Sequence, residues 1–370
     1  MIAVSLILAA AGLLQPTGFS FEPAADVPGL GKRIESARAP LEAGPRWLKL
    51  SFRAAANADG YWWVDLFGTA DGAPAFDVNS RLYAGSDLRE YVEYVFVDSR
   101  YRAAQFAFVT RDGSARVSDF RVSTADAAEV SAWCDRLYAT LPSVDQAVPA
   151  DAWARLPRSF AAIRAGLPWR VLFLGDSLLS DTFNGGLPAL LARTCPSVVP
   201  ILSVSGGGGV WKYHEETAFK EFVADLKPDL VLIGGGSNPR YKAPADEVVG
   251  QLRETIVRCR ALGAEVAVLS PPPSWEFRAS PDDTTPVDPA FSPKALPTVK
   301  PYRRDYQEQV CAETKTAFWN VTDAPCRAIA ESRKPLGWFH RDAVHNDNRG
   351  KQLAARAVLA FFQVLRREER

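Results

Sequence analysis

The chain has 370 residues, of which 47% are hydrophobic and 23% charged, a composition typical of a globular protein long enough for two domains. The chain has 43 basic residues (Lys and Arg) and 43 acidic residues (Asp and Glu), so its formal net charge is zero. Neither a nucleic acid nor an anionic membrane surface is therefore the expected partner. The five cysteines lack Cys-x-x-Cys spacing and no His-Glu-x-x-His motif occurs, so no metal site is expected.

The first segment of the chain, residues 2–14, is apolar and uncharged. It is too short to span a membrane and is typical of the hydrophobic part of a secretory signal, although no Lys or Arg precedes it. Residues 1–20 are therefore interpreted as a signal segment, with an ordered apolar arm as the alternative. The first interpretation predicts a secreted or periplasmic protein, in which Cys311 and Cys326 are the expected disulfide pair.

Residues 21–125 show short strand-like runs separated by turn signals. The runs are residues 47–53, 61–67, 91–97, 104–109 and 115–122, and Asp-Gly dipeptides suited to tight turns stand at 59–60, 71–72 and 112–113. This pattern predicts an antiparallel β-sandwich. Its layout resembles the jelly-roll modules that accompany carbohydrate-active enzymes, which implies sugar binding through Tyr61, Trp62 or Trp63. The alternative is that these aromatic side chains pack in the core, although alternation turns at least one of the neighbouring tryptophans away from it.

Residues 126–165 are predicted to form two helices that link this region to the next domain. From 166 to 370, strand and helix patterns alternate, which predicts a parallel sheet with helices on both faces. The strand-like runs are 170–174, 198–204, 230–233 and 265–269, and the helix-like runs are 187–194, 219–226, 246–262 and 352–367. In the third helix Val249, Leu252, Ile256 and Val257 are expected to form the buried stripe.

The second domain is organised around the segment Val171-Leu172-Phe173-Leu174-Gly175-Asp176-Ser177. Four apolar residues predict a buried strand, and Gly175 permits a sharp turn at its carboxyl end. Asp176 is suited to cap the following helix, so Ser177 would stand above the sheet edge, where α/β folds bind their ligands. The alternative for Asp176 and Ser177 is a capping role alone.

Two further clusters follow predicted strands. Residues 205–209 read Ser-Gly-Gly-Gly-Gly, and their exposed backbone amides are suited to an approaching oxygen atom. The run lacks the Gly-Lys-Ser/Thr ending of a phosphate-binding loop. Residues 234–239 read Gly-Gly-Gly-Ser-Asn-Pro, in which the amide of Asn238 is a candidate donor to an oxyanion or, alternatively, part of an ordinary Asn-Pro turn.

The last cluster precedes the C-terminal helix and contains Asp342 and, three residues later, His345. In a tight loop the carboxylate can accept a hydrogen bond from the imidazole Nδ1–H, as in a Ser-His-Asp triad. A surface histidine is the alternative interpretation.

In this order and spacing, the four clusters resemble the conserved blocks of the SGNH hydrolases, also called GDSL-like esterases or lipases. The resemblance covers residues 166–370 and implies a flavodoxin-like three-layer α/β fold. It assigns Ser177 as the nucleophile, Asp342 and His345 as its partners, and the Ser177 and Gly206 amides with the Asn238 side chain as the oxyanion hole. Pro239 and Ser203 depart from common family residues, and Gly207 or Gly208 is an alternative donor.

The resemblance implies an esterase that needs no cofactor. Because the hydrolase domain follows a sandwich module, the resemblance further implies removal of O-acetyl groups from a polysaccharide or oligosaccharide. Trp211, Trp275 and Trp338 follow predicted strands and are candidate sugar contacts, with packing of the loops as the alternative. Three other functions remain open at this point. They are an O-acetyltransferase acting on a glycan, a lipase or thioesterase of the same fold, and a non-catalytic glycan-binding protein.

Overall fold

The computed structural model describes residues 21–27, 31–57, 59–69, 72–204, 210–234, 245–273, 301–334, 336–342 and 345–369. These residues form two compact units. The first holds the described residues up to Ala75 together with Leu82–Asp126, and the second holds Phe76–Arg81 and the described residues from Ala127 onward. The predicted signal segment, residues 1–20, lies outside the described residues.

The first unit is built from β-strands. The strands of this part of the chain are β1 (Phe21–Val27), β2 (Gly31–Ser36), β3 (Ala39–Pro40), β4 (Arg46–Ala56), β5 (Gly60–Phe67), β6 (Phe76–Leu82), β7 (Gly85–Val97), β8 (Ala103–Thr110) and β9 (Arg116–Ala125). All of β6 except Leu82 belongs to the second unit. One sheet contains the strand order β1-β2-β8-β5, with β3 also paired to β8, and a second has the order β7-β4-β9. The pairs within these orders are antiparallel. The jelly-roll topology stays a prediction.

Aromatic rings from both sheets pack together in the core of the first unit. Phe52 of β4 contacts Phe108 of β8 edge-on, with 5.1 Å between ring centroids, and Phe106 of β8 contacts Phe120 of β9 at 5.2 Å. Phe52 also stacks on Tyr91 of β7 at 4.9 Å. Large rings in such contacts bury much apolar surface, so they account for much of the stability of this unit.

The two neighbouring tryptophans of β5 point to opposite faces of their sheet, as the alternation of a strand requires. Trp62 is 2% exposed and belongs to the core. Trp63 is partly exposed, and its indole N–H donates to Asp65 Oδ1 at 2.9 Å. Of the three aromatic residues considered as sugar contacts, only Tyr61 and Trp63 therefore keep accessible surface.

A five-stranded parallel sheet forms the centre of the second unit. Its strands are β10 (Trp169–Gly175), β11 (Val198–Val204), β12 (Leu230–Ile233), β13 (Glu265–Leu269) and β14 (Ala317–Trp319). Their spatial order is β11-β10-β12-β13-β14 and every pair is parallel, which is the flavodoxin-like order 2-1-3-4-5. The predicted mixed α/β fold with a parallel sheet is confirmed. The chain adds β11 on one side of β10 and the later strands on the other side, so the strand order reverses at β10. A ligand is therefore expected at the carboxyl end of β10.

Helices cover both faces of this sheet. They are α1 (Ala127–Tyr138), α2 (Pro157–Arg164), α3 (Ser177–Asn184), α4 (Leu187–Thr194), α5 (Glu216–Phe222), α6 (Ala245–Ala261), α7 (Pro301–Glu313), α8 (Asp323–Ser332) and α9 (Asn348–Gln363). On one face, side chains of α5, α6 and α7 share a core with the sheet residues Leu172, Leu174, Val231 and Ile233. On the other face, Phe183 of α3 packs against Phe173 at 5.3 Å and Phe361 of α9 stacks on Trp319 at 4.6 Å.

The buried stripe of α6 differs from the predicted one. Val248, Leu252, Ile256 and Cys259 are buried in the core, whereas Val257 is 55% exposed. Val257 follows Ile256 by one residue and is therefore rotated by about 100° from it on the helix. The apolar character of Val257 was thus a misleading signal in the sequence.

The predicted disulfide between Cys311 and Cys326 is wrong. All five cysteines are free and buried, and these two lie in different hydrophobic clusters, one with α6 and one with Phe339 and Leu353. Burial raises the pKa of the Cys311 thiol to about 12, so the thiol stays protonated and unreactive at neutral pH.

A membrane span was not expected from the sequence. Among the helices of the described residues, none is both long enough and apolar enough to cross a bilayer.

Candidate active site

The turn from β10 into α3 presents Ser177. β10 ends at Gly175 and α3 begins at Ser177, with Asp176 between them as the N-cap. A Cβ atom on Gly175 would lie 2.4 Å from the carbonyl oxygen of Gly234, so only glycine fits where the chain passes β12. The Asp176 carboxylate accepts a hydrogen bond from the Leu178 amide at 3.0 Å. Asp176 thus has the capping role that the sequence suggested. The Ser177 amide is at the first position of the helix, where no acceptor within the helix is available.

Three polar side chains named from the sequence meet above this turn. Ser177 Oγ lies 2.9 Å from His345 Nε2, although 168 residues separate them in the chain. On the other side of the imidazole, Nδ1 lies 3.0 and 2.9 Å from the two carboxylate oxygens of Asp342. These distances form one continuous hydrogen-bonded row from a hydroxyl through an imidazole to a carboxylate.

The loop that carries Asp342 and His345 is held by short-range hydrogen bonds. The Asp342 carboxylate also accepts from the backbone N–H of His345 at 2.7 Å, which closes the three-residue turn. Asp347 then caps α9 by accepting from the Gly350 amide at 3.2 Å. A Cβ on Gly350 would lie 2.3 Å from the carbonyl oxygen of Phe339, so glycine is required for this close approach. Turn, cap and close approach together orient the imidazole.

The charges around Asp342 favour its ionised form. Burial alone would raise the pKa of this carboxyl, but the hydrogen bonds and charge of His345, together with the positive charge of Arg341, outweigh burial and hold the pKa well below its usual range. An ionised carboxylate accepts the Nδ1–H hydrogen bond, which leaves Nε2 free to accept a proton from Ser177.

The other two histidines do not share this arrangement. His340 is buried, and its Nε2 faces the carbonyl oxygen of Pro273 at 3.4 Å. His214 ends the short 3-10 helix Val210–His214. In the part of the chain that the structure describes, no group of three or more His, Cys, Asp or Glu side chains is placed to hold a metal ion.

The predicted oxyanion donors other than Ser177 lie outside the described residues. β11 ends at Val204 and β12 at Ile233, on either side of the end of β10. Gly206 and Asn238 follow these two strand ends in sequence, two and five residues later. Their roles as oxyanion donors stay predictions.

The three tryptophans predicted to contact sugar are not brought together by the described residues. Trp275 and the side chain of Trp211 lie outside them. Trp338 packs edge-on against Phe339, with 4.9 Å between ring centroids, and the guanidinium of Arg349 lies 4.6 Å from its ring centre. These contacts agree with the loop-packing alternative for Trp338, and its predicted role in substrate binding stays untested.

Sequence reasoning missed a group of buried charges next to Ser177. Asp181 follows Ser177 by one helical turn and accepts two hydrogen bonds from Arg341, the residue before Asp342. Lys351 of α9 is also buried, with Nζ 3.7 Å from Asp181 and 2.7 Å from the carbonyl oxygen of Asn79. The only signal was positional, because residues four apart on a helix share a face. That Asp181 has a buried partner depends on the packing of α3 against the Asp342–His345 loop.

No protein-family model matches this chain, and no curated protein matches it. Among solved structures it is similar to a catalytic variant of an acetylxylan esterase from Geobacillus stearothermophilus, at 19% identity over 53% of this chain and 95% of that one, with a TM-score of 0.42. A GDSL-like lipase from Parabacteroides merdae is 17% identical over 54% and 97% of the two chains, with a TM-score of 0.39. An acylhydrolase from Bacteroides fragilis is 18% identical over 58% and 99%, with a TM-score of 0.36.

One of these structures is described as a GDSL-like lipase, which is the family that the four sequence clusters resemble. Their identities are below 25%, so the evidence for a reaction comes from the side chains of this chain.

Proposed function

We propose that this chain is a serine esterase in which Ser177 attacks the ester carbonyl. The observation that supports this best is the hydrogen-bonded row from Ser177 Oγ through the His345 ring to Asp342. A hydroxyl within about 2.6–3.2 Å of a base that a third group orients is the arrangement of an activated nucleophile. The position of Ser177, at the carboxyl end of β10, is also where this class of fold binds its ligands.

In the proposed reaction, Ser177 Oγ forms a bond to the carbonyl carbon while its proton passes to His345 Nε2. Asp342 stabilises the imidazolium that results. The proton then goes to the leaving alcohol as the C–O ester bond breaks, which leaves an acyl group on Ser177. A water molecule, deprotonated by His345, attacks that acyl group and releases the acid and the free serine.

The tetrahedral intermediates carry a negatively charged oxygen that needs hydrogen-bond donors. We assign this role to the backbone amides of Ser177 and Gly206 and to the Asn238 side chain. The Ser177 amide fits because it stands at the first position of α3, where the helix supplies no acceptor. One such donor is typically worth about 3–4 kcal/mol of barrier.

The proposed substrate is an acetylated polysaccharide or oligosaccharide outside the cell, from which acetate is released. The His345 and Asp342 side chains are 25% and 32% exposed, so a small acyl group attached to a large carrier has access to the described part of the site. The two-unit arrangement, with a strand-rich unit before the α/β unit, fits the carbohydrate-esterase layout that the sequence resembles.

The decisive experiment measures hydrolysis of p-nitrophenyl acetate and acetate release from a panel of acetylated polysaccharides. Ser177→Ala is expected to lose about 10⁴-fold or more in kcat without a change in unfolding temperature. The matched control is Ser180→Ala on the same helix, which is expected to keep most of the rate. Full activity in Ser177→Ala would contradict the proposal.

The same assay separates the substrate from the reaction type. Hydrolysis of the small ester without acetate release from any polymer would support the esterase activity and contradict the polysaccharide substrate. Transfer of acetyl to an added sugar in place of free acetate would identify an O-acetyltransferase. Binding to a glycan without turnover of any ester would identify a non-catalytic protein.

A further inference from the structure

Beside the proposed triad the structure buries an ion pair that the reaction itself does not use. Arg341 Nη1 lies 2.8 Å from both carboxylate oxygens of Asp181, and the two side chains are 5% and 6% exposed. Taking two charges out of water is costly, and such a pair is weak evidence for stability alone. A contribution to stability therefore does not by itself explain why this pair is buried next to Ser177.

Arg341 holds the loop that carries the base. Its backbone N–H donates to the carbonyl oxygen of His345 at 3.0 Å, and its Nη1 donates to the carbonyl oxygen of Asn346 at 2.6 Å. Its Nε lies 3.9 Å from Asp342 Oδ2. One residue thus contacts the backbone of His345 and of the residue after it, and lies near the carboxylate that orients the imidazole.

Asp181 connects the same arginine to the nucleophile. It lies on α3, one turn after Ser177, so the helix itself fixes its position relative to the hydroxyl. Through the ion pair, the Ser177 helix and the His345 loop are joined at a second point besides the 2.9 Å contact between Oγ and Nε2.

Three further charges surround this pair, one on the Arg341 loop itself and two on other elements. Lys351 of α9 lies 3.7 Å from Asp181, Asp342 lies on the loop, and Asp77 of β6 acts on Arg341 electrostatically. Burial would lower the pKa of Arg341, but the charges of Asp181, Asp342 and Asp77 outweigh burial and raise it. The arginine is therefore charged at every working pH.

We propose that Arg341 is a positioning residue that, with Asp181, aligns Ser177 with His345 and partly offsets the charge of Asp342. This inference rests on the proposed esterase function and adds two residues to its site. Arginine suits the task because its planar group donates in several fixed directions at once, which a lysine does not.

The test compares Arg341→Met, Asp181→Asn, Arg341→Lys and the double variant Asp181→Asn/Arg341→Met. The pH dependence of kcat/KM on p-nitrophenyl acetate is measured for each. Removing the cation leaves the Asp342 charge less compensated, which favours the imidazolium, so the acidic limb of Arg341→Met is expected to move to higher pH. Removing the anion in Asp181→Asn moves it to lower pH, and the double variant returns towards the wild-type profile.

The value of kcat measures the alignment of Ser177 with His345, whereas the pH profile measures the effect of the Arg341 charge. Arg341→Met and the double variant are expected to lose about 10- to 100-fold in kcat with little change in KM, because a misplaced base slows the chemical step. Arg341→Lys is expected to keep the wild-type pH profile but only part of the rate. Should Arg341→Met fail to fold, the double variant and Arg341→Lys still decide the question.

The matched control is Arg33→Met, which breaks the pair between Arg33 and Asp65 in the first unit. It is expected to keep the wild-type rate and profile. Folded Arg341 variants with wild-type kcat and an unmoved acidic limb would overturn the inference. An NMR titration of the His345 ring, assigned with His345→Gln, follows the same shift without any substrate, so a wrong reaction and a wrong role for Arg341 are distinguishable.

Discussion

Both units of the molecule contain an arginine–aspartate pair that is shielded from water, the first pair in part and the second almost completely. In the first unit Arg33 of β2 pairs with Asp65 of β5, two strands that flank β8 in one sheet, and Asp65 also accepts a hydrogen bond from the Trp63 indole two residues away. In the second unit Arg341 pairs with Asp181 across 160 residues of chain, directly beside the contact between Ser177 and His345.

The comparison shows that a buried charge has to be interpreted through what it joins. The first pair lies within one sheet, where strand pairing already sets the distances between its members. The second pair joins a helix and a loop whose relation no secondary structure sets. Charge removal is therefore expected to affect stability in the first unit and the reaction in the second.

The largest expected effect is in the second unit. Asp342→Asn leaves the shape of the site unchanged but turns the imidazole to the wrong tautomer, so kcat is expected to fall by about 10⁴-fold. Steady-state kinetics on p-nitrophenyl acetate measure it. The counterpart Asp65→Asn in the first unit is expected to leave kcat unchanged, and a comparable loss there would break the comparison.

A smaller effect is expected from deleting one core ring in each unit. Phe108→Ala in the first unit and Phe173→Ala in the second should each lower the free energy of unfolding by about 3–5 kcal/mol, measured by urea titration. Phe108→Ala is expected to keep the esterase rate per folded molecule. Phe173→Ala should also slow it, because β10 carries Ser177. Equal rates in the two variants would contradict this.

The next prediction concerns acid. Because the folded state lowers the pKa of Asp342, its carboxylate stabilises the protein fully above its unfolded pKa of 3.8, and that stabilisation is lost as pH falls through the folded value. The difference in unfolding free energy between wild type and Asp342→Asn should therefore be larger at pH 6 than at pH 3. A difference that grows on acidification would reverse the sign and contradict the prediction.

The smallest effect is expected at Asp135, which pairs with Arg193 and Arg356 between α1, α4 and α9. The hydrogen bond from Arg193 is the main cause that lowers the pKa of Asp135 to about 2, with burial opposing it. Since the side chain is 45% exposed, solvent screens the pair, and Asp135→Asn should cost less than about 1 kcal/mol at pH 7. The cost should vanish as pH falls from 3.8 towards 2, which thermal unfolding at several pH values can follow. A cost that persists at pH 2 would point to lost packing.

Much of the fold was predictable where a pattern was long enough to recognise. Four of the five parallel strands stand close to their predicted positions, because each is a short apolar run followed by a turn signal. β14 was missed because it has only three residues. The helix after Asp176, α3, was expected from its capping residue and not from its pattern, because Leu178–Asn184 are all buried and no exposed polar face reveals the helical period.

Of the candidate site, the sequence pointed to the residues whose interactions are local. Asp342 and His345 are three residues apart and bond directly, and Ser177 follows the glycine turn of β10. Asp181 on α3 and Arg341 in the loop before α9 were not identified, since charged residues usually face water. Only the packing of α9 and its preceding loop on α3 buries them.

By itself, the sequence determined the two kinds of sheet, the glycine turn that presents Ser177 and the short turn that joins Asp342 to His345. Each of these depends on residues within a few positions of one another, where backbone geometry limits the choices. The tertiary structure decided which strands are neighbours, that His345 meets Ser177, and that Arg341 meets Asp181. These depend on packing between segments more than a hundred residues apart, which no local pattern of side chains encodes.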